Sequence, residues 1–267
     1  MRKIYSSIKE VREDAKSTLI TKGHEMPAGH WQGTNAMEKE IMLEYINYDF
    51  TVKIPNSLTG LEADCEPDLP WADVHFRERI SGNPLNPGES YKIWPYNKFK
   101  DGNDPYLKNG FFDHTYMERY WSKNIGDESL DKSFSASGNY HGDLNDVIEL
   151  LKRNIFTRQA YLPVWFPIDT GNINGVRVPC SLGYLFYYRG MGLHCNYYIR
   201  SCDYYRHFRN DVYLTCRLAQ HIMKEVCQSK NDIEYNMGYL NMYITHFHLF
   251  RNDLHLINKQ NGKNNKG

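Results

Sequence analysis

The sequence predicts a mixed α+β domain, a β-sheet covered by helices. Three observations carry this: aromatic and β-branched runs between 159 and 203 and again near 240–250, helical apolar spacing on either side of them, and one separate stretch dense in Gly and Pro. A chain of 267 residues is long enough to close one large core.

The elements follow in order. Ile4, Ile8, Val11 and Leu19 are spaced loosely by three and four, which predicts a first helix over residues 2–20. A polar stretch, GHEMPAGHWQGTN, leads into EKEIMLEYINYDFTVKI. Residues 55–110 are dense in Pro and Gly, which means loops and short elements, with WADVHFRERIS a short helix among them. DLNDVIELLKRN is a better helix: Asp143 or Asn145 can cap it, Val147, Leu150 and Leu151 form its stripe, and Lys152 and Arg153 suit its negative end. RQAYLPVWFP, SLGYLFYYRG and LHCNYYIRSCD read as strands. The last two form a hairpin about Arg189-Gly190-Met191-Gly192. DVYLTCRLAQHIMKEVCQ is an amphipathic helix offering Val212, Leu214, Leu218, Ile222, Met223 and Val226. GYLNMYITHFHLFRND is a last strand running into a helix. Residues 1–257 thus read as one domain with an irregular insert at about 55–130, and 258–267 as a disordered polar tail.

Composition excludes several function classes. Thirty-two basic residues balance 32 acidic ones, so no whole-surface field draws nucleic acid or an anionic membrane. No apolar run approaches the roughly 18 residues of a membrane span, and the N-terminus lacks a signal peptide's apolar core. The chain reads as soluble and cytoplasmic, in the host cytoplasm if viral. Its six cysteines read as thiols, since no C-x-x-C pair occurs. His246 and His248 would share a strand face, a weak metal hint, and no metal is expected. The 21 tyrosines, dense from Tyr184 to Tyr213, read chiefly as packing groups.

Chemistry concentrates late in the chain. Cys180 opens a strand, Arg200-Ser201-Cys202-Asp203 closes the next one, and Asp211 stands at the mouth of a helix. A nucleophilic thiol, an anion-binding guanidinium and a carboxylate are each placed where an element begins or ends.

VPCSLGYLFYYRGMGLHCNYYIRSCD resembles the catalytic segment of thymidylate synthases, P-C-H-x-x-x-Q-F-Y followed after a hairpin by L-x-Q-R-S-x-D. TRQAYLPVW resembles their segment S-R-R-x-x-x-x-x-W, and GYLNMYITH resembles G-D-x-H-x-Y-x-N-H. NPGESYKIWPY resembles the viral (phage) deoxycytidylate hydroxymethylases of the same superfamily. The resemblance implies a single catalytic domain that dimerises sheet to sheet and transfers a one-carbon group from 5,10-methylenetetrahydrofolate to a pyrimidine nucleoside monophosphate. It implies Cys180 as the nucleophile on pyrimidine C6. Arg200 and Ser201 hold the 5′-phosphate, with Arg158 reaching across the homodimer interface. Asp203 and Trp94 face the folate, Asn241 and Tyr243 face the sugar, and Glu78 relays protons. Departures accompany these matches. Gln159 stands where a second phosphate arginine is usual, Asn241 replaces a histidine, Ser181 and Leu185 replace His and Gln, no D-R-T-G-T turn appears in the first 40 residues, and KNNKG replaces an apolar tail.

Gapless counting from Arg200 brings Asp211 to the position of the asparagine that reads the base. A carboxyl sharing a proton with N3 and accepting from N4–H fits cytosine, whereas an Asn amide fits uracil. The expected substrate is therefore dCMP; a shift of one residue would instead bring Asn210 into place and restore dUMP. The polar tail is ill suited to excluding water, which favours a hydroxymethyl product. Thymidylate formation from dUMP, dUMP hydroxymethylation, cytidylate methylation and a noncatalytic nucleotide- or RNA-binding relative are the alternatives.

Overall fold

The computed structural model describes residues 3–28, 40–97, 104–124, 142–170, 177–230 and 233–257. The polar tail, most of the GHWQGTN loop, and the turn at 171–176 lie outside these residues. Seven strands, β1 (Ile4–Tyr5), β2 (His24–Pro27), β3 (Ile41–Lys53), β4 (Tyr161–Pro163), β5 (Ser181–Arg189), β6 (Gly192–Asp203) and β7 (Met237–Phe250), build one sheet. Its order is β1-β3-β7-β6-β5-β4, with β2 alongside β3; β6–β7 and β1–β3 are parallel and the remaining pairs antiparallel. The described helices are α1 (Ile8–Lys22), α2 (Leu58–Cys65), α3 (Trp71–Arg79), α4 (Ser90–Ile93), α5 (Tyr116–Tyr120), α6 (Leu144–Arg153), α7 (Pro167–Thr170) and α8 (Arg209–Ser229). The α+β class expected from the sequence is the one observed.

Alternation sets the two faces of the sheet. Leu193, Cys195, Tyr197 and Ile199 of β6 are buried in the core beside Leu240, Met242 and Ile244 of β7. His194, Asn196, Tyr198 and Arg200 take the opposite face and stay half-buried. The β5–β6 hairpin turns at Gly190 (φ 55°) and Met191 (φ 65°), with Arg189 paired to Gly192. Positive φ at both central residues gives the turn whose twist matches that of the strands. Asp143 caps α6 through a capping box with Asp146.

The strands β1, β2 and β3 are absent from the sequence reading. In β3 the alternation is legible only after Asn47 (φ 59°), because its first half stays partly exposed. RQAYLPVWFP shortens to three residues in β4: Pro163 has no N–H for a ladder, and Val164 and Trp165 both donate to the Leu182 carbonyl instead. The Pro/Gly-rich segment holds α2, α3, α4 and α5 and sends Leu61, Trp71, Phe76 and Tyr120 into the core.

Glu78, near the end of α3, ties that segment together. Its carboxylate accepts from the Ser90 N–H (3.0 Å) and hydroxyl (2.5 Å), and a Cβ at Gly88 would collide with it. Burial works to raise its pKa, but hydrogen bonds from His75 and Ser90 outweigh this and bring it down to about 2. A lowered carboxylate stabilises the fold above its ordinary value of 4.5 and loses that contribution as pH falls through about 2. Glu78→Gln should cost about 1–3 kcal/mol at neutral pH. In urea unfolding the gap from wild type should narrow steadily below pH 4.5.

Candidate active site

Cys180 immediately precedes β5, and Arg200 lies across from it on β6. The Arg200 N–H donates to the Cys180 carbonyl (2.8 Å). The Arg200 guanidinium donates through Nε to Pro179 O (2.9 Å) and through Nη2 to Val178 O (3.1 Å). One guanidinium nitrogen, Nη1, makes neither contact, and the group lies 5.6 Å from the Trp165 ring. Ser201 follows on β6, in register with His246 of β7.

The thiol stands between opposing charges. Burial pushes the Cys180 pKa up, Arg200 draws it down, Asp211 raises it and Arg177 lowers it, for a net rise. Asp211, half-buried in the first turn of α8, accepts a contact from Cys202 Sγ at 3.6 Å. Burial raises its pKa as well, against the fields of His207 and Arg79. Beside the thiol, Ser181 is fully buried, donating to the Tyr116 hydroxyl (3.0 Å) and sharing a 2.6 Å hydrogen bond with Tyr197. Tyr116 is covered by Arg79, whose guanidinium carbon lies 4.1 Å from the ring centre.

Asn210 is placed differently. Its amide donates to Asp68 Oδ2 (2.8 Å) and Arg206 O (3.2 Å), and its oxygen accepts the Asp68 N–H (2.9 Å). The side chain is 1% exposed and fastens the turn before α3 to α8. Asp203 caps a π-turn, Tyr204–Phe208, by accepting the N–H groups of Tyr205 and Arg206, and it pairs with the Arg206 guanidinium at 2.9 Å. Burial alone would raise its pKa; the charges of His248 and Arg206 hold it below the usual range.

Trp94 stacks on His207, with centroids 5.4 Å apart, and its buried indole N–H has no partner among the described residues. It walls a cavity of about 210 Å³ with Trp71, His75, Tyr91, Phe112 and Tyr116, and Arg177 also lines it. Glu78 reaches this wall through Ser90, which lines the cavity, and through His75, whose ring sits edge-on to Tyr116 at 6.4 Å.

The remaining sequence candidates lie on the sheet. Asn241 donates to Asn196 (2.9 Å) and Tyr187 (3.2 Å) and accepts from Thr51 (2.8 Å). Tyr243 stacks on Tyr198 at 4.9 Å. Arg158 and Gln159 are exposed just before the edge strand β4. His246 pairs with Glu44, while His248, two residues further along β7, is buried, and among the described residues no group of three or more His, Cys, Asp or Glu side chains is arranged to hold a metal.

The sheet and this cluster define a thiol-centred α+β protein in which a guanidinium and a carboxylate flank a cysteine at a strand end. The family model described as thymidylate synthase matches residues 83–266, and the chain belongs to that family. It is 25% identical over 153 residues to the thymidylate synthase of Listeria monocytogenes serovar 1/2a, covering 52% of this chain and 48% of that protein. To the thymidylate synthase of Malacoplasma penetrans it is 24% identical over 164 residues, 57% of this chain and 54% of that protein. The chain thus spans about half the length of the curated relatives it matches.

Sequence reasoning missed Tyr116, Arg79, Arg177 and His207. For Tyr116 a signal existed: Thr115 and Glu118 form a capping box, which marks a helix start inside the Pro/Gly-rich stretch. The others carry no motif.

Alkylation of Cys180 by iodoacetamide should therefore reach its half-maximal rate above the ordinary thiol pKa of about 8.5. Arg200→Ala should move that midpoint further up, and Asp211→Asn should move it down.

Proposed function

We propose that this protein is a folate-dependent pyrimidine nucleotide C5 hydroxymethyltransferase that acts on dCMP. The observation that carries the choice of base is the contrast between neighbours. Asn210 has both amide donors and its oxygen engaged by Asp68 and Arg206, whereas the Asp211 carboxyl takes a contact from Cys202 on β6 and its charge reaches the Cys180 thiol. A carboxyl biased by burial towards its protonated form can donate to cytosine N3 and accept from N4–H. Uracil would leave such a group poorly paired.

The cavity walled by Trp71, Trp94 and Tyr116 suits a flat heterocycle. Methylenetetrahydrofolate, held there by Trp94, would supply the one-carbon unit. Asp203 serves this site by holding the turn that carries His207 against Trp94.

In this reading Cys180 adds as thiolate to C6 and makes C5 nucleophilic. Arg200 fixes the backbone before the thiol and turns its remaining nitrogen, with Ser201, towards the 5′-phosphate. Tyr116 and Ser181 form a hydroxyl chain beside the nucleophile, and Glu78 orders it through His75. Asn241 and Tyr243 line the sugar side.

The half-buried sheet face, with Tyr187, Tyr198, Asn196 and Asn241, supports a sheet-to-sheet dimer in which an exposed Arg158 completes the partner's phosphate site. Mixing Arg158→Ala with Cys180→Ser chains should restore part of the activity lost in each. A fully active monomer would overturn the shared site.

The base assignment is tested by Asp211→Asn. Loss of a buried pairing of about 2–4 kcal/mol should depress turnover of dCMP by roughly 30- to 1,000-fold and raise that of dUMP. Wild type turning over dUMP at least as well as dCMP would instead favour thymidylate formation.

A further inference from the structure

His207 has no chemical task in the reading above, yet its ring packs on Trp94 and it stands about one turn before Asp211. It lies in the π-turn Tyr204–Phe208, four residues before Asp211, so the two side chains share one face as the turn runs into α8. A π-turn of this kind is a frequent feature of functional sites. The His207 ring stacks on Trp94, with 23° between planes. It is half-buried and makes no hydrogen bond among the described residues, so its ring nitrogens are open. The ionisable groups that feel it are Asp211 on α8, Asp203 at the turn, His248 on β7 and His75 on α3. Of these, Asp203 is engaged by Arg206 and the turn's own N–H groups, and His75 is bonded to Ser90.

We propose that His207 is the base that takes the proton from the water added to the nucleotide's exocyclic methylene. The proposal rests on the hydroxymethylation reading. Trp94 walls the cavity for the one-carbon donor and Asp211 reads the base, so a group between them borders the carbon that passes from one to the other. The step balances without any oxidant or reductant. Water oxygen bonds to the methylene carbon while its proton goes to the open imidazole nitrogen. The electron pair of the exocyclic double bond moves to form C5=C6, and the C6–S bond breaks, returning its pair to the Cys180 thiolate. A methyl product would need hydride at that carbon and no base.

The test compares wild type, His207→Gln and His207→Gly with dCMP and methylenetetrahydrofolate. Three quantities are followed: the 5-hydroxymethyl product, proton exchange at C5, and the mass of the intact protein. General-base loss should lower the ratio of hydroxymethyl product to exchange by at least about 100-fold. The Cys180–nucleotide adduct carrying the methylene should accumulate in both variants. Added imidazole should restore product in His207→Gly and leave wild type unaffected. Product formed by His207→Gln at the wild-type ratio, with no adduct, overturns the assignment. Equal loss of product and exchange in both variants, without imidazole rescue, overturns it too, because that outcome marks a packing role. If wild type makes no 5-hydroxymethyl product, the underlying reading has failed, and this is seen before any variant is compared.

Discussion

The grip of Arg200 on the strand that carries the thiol is the constraint on which the site depends. Its backbone N–H holds the Cys180 carbonyl, and its side chain holds the carbonyls of Pro179 and Val178. A proline before the thiol cannot donate to a neighbouring strand, so the segment needs a partner that supplies donors. Charged donors are the stronger kind, and a planar guanidinium can satisfy two carbonyls at once. The same group that fixes the backbone at the thiol also lowers its pKa against burial. The tight turn at Gly190–Met191 sets the register of β5 and β6, and so decides that Arg200 lies across from Cys180 and not from a residue beside it.

A second layer of order comes from charge buried among aromatic rings. Arg79 is 5% exposed and has no carboxylate within ion-pair distance among the described residues. It lies over Tyr116, donates to the Tyr120 hydroxyl (3.4 Å), and leaves its Nε without a hydrogen-bond partner. Desolvated cation–π contacts of this type contribute about 2 kcal/mol each. The positive charge also bears on Asp211 and Tyr116, so the cage that orders the wall biases the carboxyl at the site. Across the π-turn the opposite arrangement holds, with Asp203 and Asp253 sharing Arg206. These two buried clusters fix the helix face that carries His207 and Asp211.

Much of this was legible in the chain. The hairpin about Gly190 and Met191, the helix starting at Asp143, the long helix ending near Ser229 and the placing of Cys180, Arg200 and Asp211 at element ends all follow from local periodicity, turn chemistry and motif spacing. Such signals need only neighbours in sequence. The first three strands were not legible, because β3 keeps half its length partly exposed and so lacks a clean alternation.

What only the tertiary structure decided is which neighbour of a pair is taken up by contacts from elsewhere in the chain. Asn210 and Asp211 are adjacent, and a shift of one residue in alignment exchanges them. The fold separates them because Asp68, brought to the start of α8 by the Pro-rich turn 142 residues earlier, takes up the Asn210 oxygen and one amide N–H, while the Arg206 carbonyl takes the other. Trp94, His207 and Tyr116 likewise meet through packing between segments far apart in the chain. By itself the sequence determined the chemical inventory and the local frame, because these depend on short-range spacing. The partners that occupy or free each group depend on long-range contacts, which no spacing encodes.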